Sequence, residues 1–210
     1  MIKAFFLIFE PSVAWERLAI SRRSFWFVFG TYLLPTIILV TAVEGWGLHR
    51  WGKWQPKFQR INLTEFTTST VITFEVIQAL LMLGMVLVSA LVLLKISQTF
   101  ENRRTYRQAF ITTAYGLSPM FVAHLLNAAP MMSPWTPWFI GIILTVWVLY
   151  QGIPRVLQPD PTHAFGLYLS AIIVVILTSG IVRVLTGLYL LGQVDFNHSW
   201  LMHKFSTLFS

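Results

Sequence analysis

Three ionisable side chains stand inside runs that are otherwise apolar. Glu75 sits in "VITFEVIQALLML" (71–83), His124 in "MFVAHLLNAA" (120–129) and Arg183 in "LTSGIVRVLTGLYLL" (177–191). A guanidinium keeps its proton at any ordinary pH, so Arg183 needs water or an acceptor wherever it is placed. A carboxylate meets that need bidentately, through the two-pronged fork of the arginine. The expected chemistry is therefore a Glu75–Arg183 ion pair with His124 as neighbour or bridge. Gln78 and Asn127, one helical turn from Glu75 and His124, complete the constellation.

The surroundings raise what is at stake for such a group. The 210 residues are 56% hydrophobic and only 11% charged, against about 25% charged in ordinary soluble domains. A bilayer is the solvent this composition suits. Five segments have the roughly 20 apolar residues that a helix needs to cross the hydrocarbon: 24–43, 71–94, 109–128, 135–153 and 165–191. The architecture expected is all-α, a polytopic bundle of five transmembrane helices forming a single membrane domain. Pro35 and Pro119 fall within the first and third spans, where neighbours can satisfy the carbonyls that a proline frees. The fourth span is the shortest and has a re-entrant segment as its alternative. On these bounds Glu75 is the only acid within any span. It stands about 10 Å outward of its span's middle, His124 about 9 Å and Arg183 about 6 Å, at helical rise.

An unpaired arginine near the bilayer centre costs about 2.5–3.5 kcal/mol on insertion scales. Three readings of the cluster follow. It fixes helix packing and register, it forms a polar site in the outer half for a proton, an ion or a lipid headgroup, or Arg183 snorkels to the interface on its own.

Topology is read from Lys and Arg. With the N-terminus inside, the inner segments hold nine (Lys3, Arg17, Arg22, Arg23, Lys95, Arg103, Arg104, Arg107 and Arg155), and the outer ones five (Arg50, Lys53, Lys57, Arg60 and Lys204). Short cytoplasmic loops carry the excess, so the N-terminus is expected inside, the C-terminus outside, in a cell inner membrane. Tryptophans fit this frame as an interfacial belt: Trp46, Trp51, Trp54, Trp135, Trp138 and Trp200 near the outer face, Trp15 and Trp26 near the inner one. "AFFLIF" (4–9) is too short for a signal-peptide core, so a span is expected to act as its own insertion signal.

Ahead of the first span, "EPSVAWERLAISRR" (10–23) reads as a short cytoplasmic helix opened by Pro11. Val13, Ala14, Trp15, Leu18 and Ala19 share a broad face. That face lies either in the headgroups or against the end of the bundle. Lys95, Arg103, Arg104 and Arg107 form a basic loop able to meet anionic lipid or an acidic partner, although positive-inside bias explains it too. The loop 46–60 alternates tryptophan with cations and is expected to hug the interface; no nucleic acid is expected as a partner.

Chemistry-bearing motifs are few. Cysteine is absent, which excludes disulfides and a thiol nucleophile. H-E-x-x-H, G-x-S-x-G and phosphate-loop patterns do not occur. The tail holds Asp195, His198 and His203, whose spacing matches no metal site, so neither a metal nor another cofactor is expected. Ser179, Gly180, Gly187 and Gly141 are small residues at which helices could approach closely. The reading is a non-enzymatic membrane-organising or adaptor protein that binds membrane lipids, other membrane proteins or further copies of itself. A small transporter or permease component using the Glu/His/Arg cluster is the alternative.

"FEPSVAWERLA" (9–19), "YRQAFITTAYGLSPMF" (106–121) with its Tyr-Gly-x-x-Pro, and the five spans together resemble the Yip1 domain family. The resemblance covers nearly the whole chain. It implies five spans and a cytosolic N-terminus. Eukaryotic members have longer N-terminal regions and associate with Rab-type GTPases in vesicle traffic. The short N-terminus here resembles bacterial members, so that role is not carried over, and the resemblance brings no catalytic or binding residues.

Overall fold

The computed structural model describes residues 7–21, 23–57, 60–64, 67–99, 105–133, 135–160 and 162–190, with the backbone alone for 53–57 and 60–64. Five of its helical stretches are long and apolar enough to cross a membrane: Phe25–Trp51, Thr68–Thr99, Tyr106–Ala128, Trp135–Val156 and Ala164–Leu190. The fourth is a continuous 22-residue helix without the internal turn of a re-entrant segment, long and apolar enough to cross. Lys3, Arg22, Arg103, Arg104, Asp195, His198, Trp200, His203 and Lys204, named above, lie outside the described residues.

Helix α1 (Pro11–Ile20) starts on a proline whose missing N–H falls among donors left free at any helix start. The first span opens with α2 (Phe25–Val28), widens into a π-helical turn at Phe29–Leu33 and continues as α3 (Leu34–Trp51). Pro35 explains the widening, because its ring collides with the carbonyl four residues earlier in a regular helix. Gly52 ends α3 at φ 64°, ψ −162°, a conformation essentially restricted to glycine.

The stretch expected as an interfacial loop is more ordered than that. Trp46 and Trp51 belong to the last turns of α3, and β1 (Lys53–Lys57) pairs antiparallel with β2 (Arg60–Thr64) as a hairpin. The second span follows as α4 (Thr68–Thr99).

Pro119 divides the third span. Helix α5 (Tyr106–Gly116) stops at Leu117, α6 (Ser118–His124) restarts with the proline in its first turn, and a 3-10 turn, Leu125–Ala128, closes the segment. The bundle is completed by α7 (Trp135–Val156) and α8 (Ala164–Leu190). The third span is the most enclosed of the five. Phe110, Tyr115 and Phe121 are buried there, in one hydrophobic core with Leu149 and Ile153 of α7. On the outside, Ile38, Leu80, Ile143 and Leu177 are exposed to what is, in a membrane, acyl chain.

Helix α1 packs against α7. Trp15 is fully enclosed, its indole N–H donates to the Val148 carbonyl at 2.9 Å, and its ring fills the space that a Gly152 side chain would occupy. Trp15 is thus an anchor in the bundle and not part of the interfacial belt, whereas Trp26, Trp46 and Trp135 are exposed as that belt requires. Of the two readings for the α1 face, the structure realises packing on the bundle, with Val13 and Ile20 left exposed.

Candidate functional site

The acid at the centre of the polar core is Glu44. The expected first span stopped at Val43 because a charge follows, yet α3 runs eight residues further and carries Glu44 into the bundle, where it is 1% exposed. Glu75 is therefore not the only acid within a span. One carboxylate oxygen of Glu44, Oε2, lies 3.0 Å from His124 Nε2, an ion-pair distance without the alignment of a hydrogen bond. The same oxygen accepts a hydrogen bond from the Gln78 amide. Gln78 is wholly buried on α4, so three separate spans meet at this carboxylate.

The sequence around Glu44, "EGWG", explains how the elements come so close. Gly47 faces the 3-10 turn, where an added methyl would stand 2.5 Å from the Ala128 carbonyl oxygen. Only glycine lets that backbone approach, and the approach sets Glu44 beside His124. Asn127 is buried within the same 3-10 turn. Gly45 faces α4, where an added methyl would stand 3.0 Å from Glu75 Cγ and 3.4 Å from its Oε1. Trp46, between the two glycines, points outward and is 59% exposed.

Arg183 arrives from α8 and is buried at 5% exposure. It lines a void of about 20 Å³ with His124, Met82, Met85 and Ser179, room for about one water. The carboxylate whose charge acts on it is Glu44. The expected partner, Glu75, lines a different feature, a groove between α3 and α4. The sequence grouped His124, Gln78, Asn127 and Arg183 with Glu75; in the structure the acid that contacts His124 and Gln78 is Glu44, on the first span.

The arrangement holds a carboxylate, an imidazole, a primary amide and a guanidinium in a space nearly free of solvent. Buried charges of opposite sign, Glu44 and Arg183, share this space, and a low-dielectric interior favours their mutual compensation. Among the described residues no group of three or more His, Cys, Asp or Glu could hold a metal ion.

Of the small residues expected at helix contacts, Gly141 sits tight against Met120, 3.0 Å from its Cα to an added methyl, and Ser179 accepts the Trp138 indole N–H at 3.2 Å. Gly180 has only a loose neighbour and Gly187 faces open space. In the basic loop, Lys95 is exposed, while Arg107 is half-buried and donates to the Arg23 carbonyl at 3.4 Å.

Both motifs that carried the family resemblance converge on one stretch of α7. Trp15 engages Val148 and Gly152, and the face of Gly116 is closed by Leu149, 2.4 Å from an added methyl. Ser118 ties the break together by donating to the Tyr115 carbonyl and bonding the Tyr32 hydroxyl. These are the features of a multi-pass helical membrane protein with a docked N-terminal helix and a broken central span. Residues 5–182 match the Yip1 domain, and the chain belongs to that family. Comparison with curated proteins and with solved structures finds no match.

Proposed function

We propose that this Yip1-family protein is a non-enzymatic membrane-organising or adaptor protein of the cell inner membrane. Its N-terminus is cytoplasmic and its C-terminus outside, and it binds lipids, other membrane proteins or further copies of itself through its lateral faces. One observation carries the reading: the polar core closes on itself, leaving beside Arg183 a void of about 20 Å³. A transport path needs water or substrate to pass a charged site, and room for one water supports a structural core instead. The exposed apolar faces and the groove between α3 and α4 are the surfaces on which partners would sit.

The test is purification in nanodiscs with native mass spectrometry, alongside reconstitution into liposomes loaded with a pH-sensitive dye. Co-purifying lipid or membrane protein without proton or cation flux is the expected result. Flux through the wild-type protein that disappears in Glu44→Gln would replace this reading with the transporter.

A further inference from the structure

Between the first and second spans, the hairpin of β1 and β2 sorts its residues by polarity. Its register pairs Trp54 with Leu63 and Pro56 with Ile61, and around these Lys53 with Thr64, Gln55 with Asn62 and Lys57 with Arg60. Residues opposite each other in an antiparallel pair share a face, and successive residues alternate between faces. The four apolar residues therefore fall together on one face, and the six polar ones on the other. A slip of one residue would mix the two sets. Lys53, Lys57 and Arg60 make the polar face cationic, and neither strand carries an acid.

A lone two-stranded hairpin is marginal in water, so its apolar face needs a cover. Among the described elements the two strands pack on each other, and no helix lies closely along either. Pairing with a strand of another chain is discouraged along β1 by Lys53, Pro56 and Lys57. The roots of the hairpin lie at the ends of two spans. Gly52 alone separates the first span from β1, and three residues separate β2 from α4. Trp46 and Trp51, 59% and 44% exposed, meet edge to face at 4.8 Å in the last turns of α3, as residues of an interfacial belt do. The same division of apolar from cationic residues holds an amphipathic helix in the interface. We propose that the hairpin lies flat on the leaflet opposite the N-terminal helix and fits an anionic lipid surface. Trp54, Ile61 and Leu63 then enter the boundary between headgroups and acyl chains, and the three cations lie within a Debye length, about 8 Å, of the lipid phosphates. This deepens the lipid-binding part of the proposed function by naming a lipid class and the segment that meets it.

The chain has no cysteine, so a single introduced cysteine takes a spin label uniquely. Ile61→Cys, Asn62→Cys, Leu63→Cys and Thr64→Cys are labelled one at a time in the full chain. Each is placed in nanodiscs of phosphatidylcholine, alone or equimolar with phosphatidylglycerol. Electron paramagnetic resonance then compares collisions with oxygen, enriched among acyl chains, and with a water-soluble nickel chelate. In the mixed lipid the oxygen-to-nickel ratio at Ile61→Cys and Leu63→Cys should exceed that at Asn62→Cys and Thr64→Cys at least fivefold. It should fall at least twofold in phosphatidylcholine alone, and adding Lys53→Gln, Lys57→Gln and Arg60→Gln together should abolish that dependence. Each variant should melt close to wild type, since the strands stand apart from the helical core. Four labels equally open to nickel overturn the proposal by placing the hairpin in water. Ile61→Cys and Leu63→Cys closed to both reagents overturn it by showing a protein cover, the bundle or a second copy. An alternation equal in both lipids, or a dependence kept without the three cations, overturns the anionic preference. Lipid held on the lateral faces is read separately by co-purification and survives each of these failures.

Discussion

Glu44 and His124 meet at 3.0 Å although eighty residues separate them in the chain, and the carboxylate oxygen that faces the imidazole also accepts from Gln78. The contact joins the first, second and third spans at one atom. Arg183, buried on the fifth, is the cation within electrostatic reach of that carboxylate. Three of five spans therefore meet at a single acid, and substitutions at that acid should have effects that substitutions at other polar positions lack.

Glu44→Gln should destabilise the protein by about 3 kcal/mol, the range for removing one partner of a buried charge pair. Glu75→Gln, outside the contact that joins three spans, should shift stability less, by about 1 kcal/mol. Thermal melting of the two variants in the same nanodisc compares them directly. Equal melting temperatures would place the two carboxylates on the same footing.

Gly47→Ala should separate the end of the first span from the 3-10 turn. The added methyl meets a backbone carbonyl at 2.5 Å, and a backbone yields less readily than a side chain. Overpacking of this kind costs about 1–3 kcal/mol. Gly187→Ala, facing open space, is the control and should be neutral or slightly stabilising, since alanine is the better helix former.

Trp15→Ala should release α1 from the bundle, with a loss of about 3 kcal/mol or more, as for other buried aromatic truncations. Gly152→Ala pushes on the same ring from the other side and should produce the same detachment. Limited proteolysis after residue 17 or 23 reads it: both variants should be cut faster than wild type, and the double variant no faster than the worse single. Additive acceleration would mean that the two positions do not share one contact.

Tyr32→Phe and Ser118→Ala remove the hydroxyl contact that holds the first span to the break in the third. Double-mutant cycles for interhelical hydrogen bonds in membranes average about 0.6 kcal/mol. A coupling of that size is expected here, well below the effect of removing Glu44.

The five spans were legible because each is a long apolar run, and hydropathy is a local property. Two prolines were legible as breaks, although the π-helical turn before Pro35 and the 3-10 turn after His124 depend on packing around them. Glu44 was not legible as a core residue. A charge followed by Gly-Trp-Gly ends an apolar run in one dimension, and only the approach of the third span, permitted by Gly47, makes it an interior position. Trp15 illustrates the same limit. Its helical face suits headgroups and bundle equally well, and the choice is made by Gly152, more than a hundred residues away.

The most direct test is a stability cycle on Glu44→Leu, Arg183→Leu and the double variant, melted in nanodiscs of one lipid composition. If these two charges neutralise each other inside the bundle, each single variant melts far below wild type, and the double variant regains at least half of the larger loss. A double variant whose loss equals the sum of the singles, or singles that melt with wild type, would contradict it.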